Sequence, residues 1–100
     1  MDEELLKVSK FDAADYLKNE ADMQEYLDEV SSENDPQAFL QAINTIARAK
    51  GMARLSRETG IPRESLYQSL SDKGNPGFHT LWKVAEALGY ALVMKKKTVA

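Results

Sequence analysis

Residues 55–68 read LSRETGIPRESLYQ, two short amphipathic segments joined through a glycine. Gly60 permits the positive φ that a tight turn requires, and Ile61 is placed to fill the gap between the segments. Leu66 and Leu70 lie four residues apart, so both fall on one face of a helix and anchor it from beneath. The pattern predicts a helix-turn-helix, with a plain helical bundle as the alternative.

The second helix of this pair is expected to present a polar outward face, rich in hydrogen-bonding groups. Such a face suits the reading of base edges in the major groove of DNA. Arg63 and Gln68 each have two interpretations, a contact to a base or a contact to phosphate. Glu64 has three interpretations: it accepts from cytosine N4, it orients Arg63, or it simply faces solvent. The candidate base-reading residues are Arg63, Glu64, Ser65, Tyr67 and Gln68.

The charge of the chain is unevenly distributed along the sequence. The net charge is −3, but residues 1–50 carry 12 Asp and Glu against 5 Lys and Arg, a balance of −7, whereas residues 51–100 carry 4 against 8, a balance of +4. A DNA-binding surface needs cations to neutralise phosphates, and the basic half contains the helix pair. The net acidity therefore does not oppose DNA binding. The candidate phosphate contacts from this reasoning are Lys50, Arg54, Arg57 and Lys73.

Composition excludes several classes of protein. One hundred residues suffice for a single domain with its own core. The chain has no cysteine and one histidine, which excludes disulfides, thiolate metal sites and multi-histidine metal sites. A Gly-rich phosphate loop and a nucleophile–base pair are also missing, so we expect a binding protein without metal or cofactor, and not an enzyme. No apolar run approaches the roughly 18 to 20 residues that span a bilayer, and the opening MDEELLKVSK is unlike a secretory signal. We expect a cytoplasmic protein with no membrane association.

Capping residues and charge divide the chain into three parts. Residues 1–35 are expected to be an acidic N-terminal helical extension, residues 36–89 a helix-turn-helix DNA-binding domain, and residues 90–100 a C-terminal strand with a basic tail. Helices are expected to begin after polar N-caps and to end at glycines. These positions are Asn19 and Asp35–Pro36 for the starts, and Gly51, Gly60 and Gly89 for the ends.

Two apolar patterns lie in the C-terminal half. The helix expected over 78–88 carries a stripe that includes Phe78 and Trp82, and the stripe assigns Trp82 to the core. After Gly89 the pattern becomes β-favouring, which predicts a strand over Tyr90–Lys95. A lone strand leaves its backbone groups unpaired, so we expect it to pair in a homodimer or with another protein, with a frayed tail as the alternative.

The helix expected over residues 20–33 has a strongly acidic face. Glu25, Asp28 and Glu29 lie opposite its apolar stripe. This face is either simply solvated or docks on a cationic partner.

Several segments resemble the addiction-module antidote proteins, the HigA-like antitoxins of bacterial toxin–antitoxin operons. They are FDAADYLKNEADMQEYL at 11–27, ARAKGMARLSRETGIPRESLYQSLSDKGNPGFHTLWKVAEALGYAL at 47–92, and their spacing. The motif GNP-x-F-x-TL-x-K at 74–83 is the more specific part. The similarity spans about residues 10–94 and implies an all-α fold, with a five-helix Cro/repressor-type helix-turn-helix domain over 36–89.

The resemblance also implies a function. It describes a dimeric antitoxin that neutralises a RelE/HigB-type toxin, an mRNA-cleaving ribonuclease, and represses its own operon on double-stranded operator DNA. It places base readout on the same outward residues of 63–68, and phosphate positioning on the start of helix 52–59 and on the loop around Lys73 and Asn75. A prophage-type regulator without a toxin partner is the alternative function, and an interaction module that has lost DNA binding is a second.

This chain departs from the family pattern at two places. Ala53 and Arg54 stand where a Ser or Thr followed by Gln is usual, which removes a side-chain cap and replaces an amide by a cation. Pro62 stands where Ser or Thr usually opens the reading helix, which removes one hydroxyl contact to the DNA backbone. Proline is tolerated there because that N–H has no partner within a helix.

Overall fold

The computed structural model describes residues 13–98. This part of the chain is all-helical, as expected from the sequence. A short 3-10 helix at Ala13–Tyr16 is followed by five α-helices: α1 at Glu20–Ser31, α2 at Pro36–Lys50, α3 at Met52–Thr59, α4 at Arg63–Ser69 and α5 at Phe78–Leu88. Residues 1–12 of the expected N-terminal extension and residues 99–100 of the basic tail lie outside the described range.

The helices begin where local chemistry predicts. The Asn19 side chain accepts a hydrogen bond from the Asp22 N–H at 2.8 Å and caps α1. Asp35 accepts from two N–H groups of the first turn of α2, with Pro36 at the first helical position. These caps satisfy donors that have no partner within the helix. The N-caps predicted for α1 and α2 are therefore confirmed.

One hydrophobic core joins all five α-helices. Its largest fully buried side chains are Ile46, Leu55, Leu66, Leu70 and Val84. Helix α2 is central, since it packs against the 3-10 helix and against α1, α3 and α5. Met23 of α1 lies in the same cluster, with 6% of its surface exposed.

Four of the five α-helices lie within residues 36–89, and the fifth, α1, lies before them. The expectation of five helices inside 36–89 is therefore corrected. The turn at residues 32–35 separates α1 from α2 along the chain, but α1 packs directly on α2.

The strand predicted at Tyr90–Lys95 is not seen. Residues 90–98, the end of the described part, form neither strand nor helix. A strand pairs its N–H and C=O groups with a neighbouring strand, and residues 13–98 of this single chain contain no other strand. The Tyr90 N–H instead donates to the Ala85 carbonyl at 2.8 Å, and its ring packs at the edge of the core. Met94 is fully exposed.

The apolar stripe of α5 divides into a buried part and an exposed part. Val84, Ala85 and Leu88 are buried, whereas Phe78 is 66% exposed and Trp82 is 43% exposed. The expectation that Trp82 belongs to the core is wrong. The buried positions already form a complete helical stripe facing α2 and α3, so Phe78 and Trp82 lie beside it.

Within residues 13–98, no helix combines the length and the apolar composition that a membrane span requires.

Candidate nucleic-acid interface

The turn between α3 and α4 is fixed by side-chain hydrogen bonds. Gly60 adopts the left-handed conformation, with φ 75° and ψ 9°. The Ser56 hydroxyl donates to the Ile61 carbonyl at 2.6 Å. Thr59 Oγ1 donates to the Leu55 carbonyl at 2.8 Å and accepts from the Ile61 N–H at 3.2 Å. The two helices are therefore held in one relative orientation by both side chains and backbone.

Helix α4 is anchored from one side only. Leu66 and the C-capping Leu70 are completely buried, as the four-residue spacing predicts. Because α4 is anchored through these two leucines, the opposite side of the helix is left to solvent. All five candidate base-reading residues are exposed there: Arg63, Glu64, Ser65, Tyr67 and Gln68. The structure brings them together on one short helix, and their role as base readers stays a prediction.

Exposed cations and an amide flank α4 in the sequence. Arg57, Lys73 and Asn75 have exposed side chains. Arg54 is also exposed, and its Nε donates to Glu58 Oε2 at 3.1 Å, one turn along α3. An exposed pair of this kind adds little stability, so Arg54 can exchange Glu58 for a phosphate at small cost. These four side chains are accessible to a DNA backbone.

The loop that carries Lys73 and Asn75 is tightly folded against α4. A Cβ placed on Gly74 would lie 2.1 Å from the Ser69 carbonyl oxygen, which leaves no room for a side chain. The Ser71 hydroxyl donates to the Gln68 carbonyl at 2.9 Å, and Gln37 of α2 donates to the Asp72 carbonyl. This loop is therefore positioned by contacts to both α4 and α2.

Lys50 is placed differently from the other candidate phosphate contacts. Its ammonium lies 2.9 Å from Glu20 Oε2, donates to the Leu88 carbonyl, and sits 5.0 Å from the centre of the Tyr90 ring. Only 17% of its side chain is exposed. A contact from Lys50 to phosphate would have to replace these interactions.

The contacts of Lys50 join α1, α2 and the end of α5, and sequence reasoning did not find this cluster. Glu20, Lys50 and Tyr90 are separated by 30 and 40 residues, so no local spacing links them. A weak signal existed, because a lysine in the last turn of a helix beside a glycine C-cap favours contacts to carbonyls. Burial and the nearby Glu20 carboxylate both raise the pKa of the Tyr90 phenol, whose hydroxyl donates to Glu20 Oε1 at 3.5 Å.

The acidic face of α1 lies away from the core. Met23 and Val30 are buried, while Glu25, Asp28 and Glu29 are exposed. The Asp28 carboxylate accepts from the Gln24 side chain at 2.9 Å. The surface therefore presents several carboxylates on one side of a helix whose other side packs on α2.

Comparison with known proteins identifies the family. A sequence model described as "Probable addiction module antidote protein" matches residues 7–96. The chain is 38% identical over 94 residues to an uncharacterized protein of Haemophilus influenzae, an alignment that covers 94% of this chain and 97% of that protein. No solved structure matches the chain significantly. The chain therefore belongs to the addiction module antidote family, which gives it an antitoxin's role opposite a toxin partner.

Proposed function

We propose that this antitoxin binds double-stranded operator DNA as a homodimer through a Cro/repressor-type helix-turn-helix and represses its own operon. It also neutralises a RelE/HigB-type toxin, an mRNA-cleaving ribonuclease. It acts in the cytoplasm by binding alone, without metal, cofactor or catalysis. The observation that carries the DNA-binding proposal is the exposed polar face of α4, anchored from beneath by two fully buried leucines.

DNA binding divides into positioning and readout. Arg54, Arg57, Lys73 and Asn75 contact phosphates and set the register of the protein on the duplex. The polar face of α4 then contacts base edges, with Arg63 at its start donating to guanine O6 and N7. In the dimer, the two α4 helices enter successive major grooves about 34–36 Å apart. The operator is accordingly palindromic.

Fluorescence anisotropy on the protein's own promoter tests this proposal. Titrations are run across salt concentrations, with scrambled DNA of the same length as reference. Arg63→Ala is expected to cost roughly 1–3 kcal/mol and to relax specificity at one base position. Lys73→Ala is expected to weaken binding on every sequence and to lower the salt slope by about one unit.

The control for charge alone is Lys18→Ala, which removes an exposed cation ahead of α1. Its binding curves should stay close to those of the wild-type protein. Equal affinity of the wild-type protein for promoter and scrambled DNA would contradict sequence-specific readout. No binding at any salt concentration would favour the interaction module that has lost DNA binding.

Toxin neutralisation is proposed to use the acidic face of α1. A ribonuclease that grips RNA phosphates must present a basic surface, and an acidic helix can cover that surface. Charge complementarity of this kind accelerates association and selects the partner. The exposed carboxylates of Glu25, Asp28 and Glu29 supply the negative charge.

Co-expression with the neighbouring operon product, followed by size exclusion, tests the toxin partner. A stoichiometric complex is the expected result. The double variant Glu25→Lys/Glu29→Lys should slow association at least tenfold at low salt, because attraction becomes repulsion. Glu64→Lys makes the same kind of charge change on α4 and should leave toxin binding unchanged. Failure to recover any complex in repeated attempts would favour a prophage-type regulator.

A further inference from the structure

The N-terminal half of α5 exposes an aromatic pair that the fold leaves uncovered. The rings of Phe78 and Trp82 lie one turn apart, with centroids 5.7 Å apart, and are 66% and 43% exposed. Exposed aromatic side chains grouped on one face mark interaction surfaces more often than isolated apolar residues do. Neither residue belongs to the outward face of α4 or to the acidic face of α1.

The surface around the Phe78–Trp82 pair has an exposed ring and nitrogen donors toward one end of α5, and a depression and a carboxylate toward the other end. Next to Trp82 lies a shallow depression of about 350 Å³, bounded by Glu86 and Ala87 of α5 and by the end of α3. His79 is exposed beside Phe78, and Lys83 beside Trp82. The face therefore has a projecting ring and nitrogen donors toward the start of α5, and a depression and a carboxylate toward its end.

We propose that a second copy of this chain binds this face, with the two α5 helices antiparallel about a two-fold axis near Trp82 and Lys83. In an isologous interface each contact occurs twice, residue i on j and residue j on i. Positions about four residues before the axis then face positions about four residues after it. Phe78 enters the depression beside Ala87 of the other copy, and His79 donates to Glu86.

Charge supports a second copy over another protein. The face carries nitrogen donors at His79 and Lys83 and a carboxylate at Glu86, so an antiparallel copy places Glu86 opposite His79 and the Lys83 ammonium opposite the Trp82 ring. On this face Lys83 lies among the carboxylates of Glu58 and Glu86, whereas α1 carries acidic residues and no Lys or Arg, so a cationic toxin is matched better by α1. The inference rests on the homodimer of the proposed function. It assigns the dimer interface to α5, and not to the segment Tyr90–Lys95 that was expected to pair as a strand.

Sedimentation equilibrium on the full chain, without DNA or toxin, tests the interface. The double variant Phe78→Ser/Trp82→Ser is expected to raise the dimer dissociation constant at least a hundredfold, equal to about 2.7 kcal/mol. Neither residue belongs to the hydrophobic core cluster, so circular dichroism should show unchanged helix content. The matched control is Val93→Ser/Met94→Ser, which removes two exposed apolar residues outside α5 and should leave the dimer intact.

A charge exchange tests the two-fold arrangement without touching the aromatic pair. Glu86→Lys alone should weaken the dimer about tenfold, and adding His79→Glu should restore it, because donor and acceptor have exchanged places. Three results would overturn the inference: a wild-type monomer, a dimer lost only in the Val93/Met94 control, or aromatic variants that lose toxin but not self-association. Because the sedimentation experiment contains no DNA, its result can be interpreted even if the protein does not bind an operator.

Discussion

Replacement of Lys50 by methionine separates a structural role from a DNA-binding role. Methionine keeps an unbranched apolar stem of similar length and removes the ammonium. In the structure that ammonium contacts Glu20, the Leu88 carbonyl and the Tyr90 ring. We therefore expect Lys50→Met to lower the free energy of unfolding and to leave the salt dependence of DNA binding nearly unchanged.

The magnitude follows from the three contacts. A hydrogen bond from a charged donor to the Leu88 carbonyl contributes roughly 1.5–3 kcal/mol. Glu20 has a side chain that is 74% exposed, so solvent screening limits its pairing to about 0–1 kcal/mol. The cation–π contact to Tyr90 adds about 0.5–1 kcal/mol. Because one ammonium makes all three, the terms are not additive, and we expect a total loss of about 2–3 kcal/mol.

Urea unfolding followed by circular dichroism measures this loss. Thermal unfolding gives a second measure of the same loss. For a domain of this size, 1 kcal/mol shifts Tm by about 4–8 °C, so we expect Tm to decrease by roughly 10–20 °C. DNA binding is measured by anisotropy at a temperature where the variant is fully folded. Lys73→Met is the matched comparison, because Lys73 is exposed and should lose phosphate contact without losing stability.

One result would refute this reasoning. If Lys50→Met is as stable as the wild-type protein and lowers the salt slope as much as Lys73→Met does, Lys50 contacts phosphate and its internal contacts contribute little. A variant that loses both stability and salt slope would show that the ammonium serves both roles.

Three further substitutions, one of them with a matched control, test single features of the fold. Gly60→Ala should destabilise the fold by about 1 kcal/mol, because the added Cβ meets no neighbouring atom but must adopt a left-handed conformation with φ 75°. Gly77→Ala is the control: its added Cβ also meets open space, and stability should change by less than about 0.5 kcal/mol. Asp35→Ala removes the α2 cap and should cost about 0.5–2 kcal/mol, read from urea midpoints. Tyr90→Phe should reduce the loss of unfolding free energy that the wild-type protein shows at alkaline pH. The pKa of Tyr90 is raised in the folded state, so the protonated phenol stabilises the fold below pH about 10, and this stabilisation is lost as the pH rises above it. Parallel wild-type and variant pH profiles would contradict that assignment.

Much of the candidate site followed from the sequence because it depends on short-range spacing. Leu66 and Leu70 share a face through the helical period, and Gly60 is the residue that tolerates the turn. The exposure of the base-reading candidates follows from the same period, since burying two leucines leaves the other side of a short helix to solvent. The accuracy of these predictions reflects the local origin of caps, turns and amphipathic faces.

Longer-range features could not be predicted from the sequence, because the burial of a side chain depends on which other helix packs against it. The stripe of α5 has enough apolar positions for two faces, and only the packing of α2 and α3 decides that Val84 is buried and Trp82 exposed. The segment Tyr90–Lys95 had residue types that favour a strand, but residues 13–98 contain no strand that could pair with it. Strand propensity depends on pairing and burial more than on the residues themselves.

The amino-acid sequence by itself determined where helices begin and end, which face of each is apolar, and how charge divides between the two halves. Tertiary structure alone decided the place of Lys50, predicted as a phosphate contact and found beside Glu20 and Tyr90. It also left the Phe78–Trp82 pair uncovered. The physical reason is the same in both cases: caps and periodicity act within a few residues, whereas the partner of a side chain is set by elements that folding brings from far along the chain.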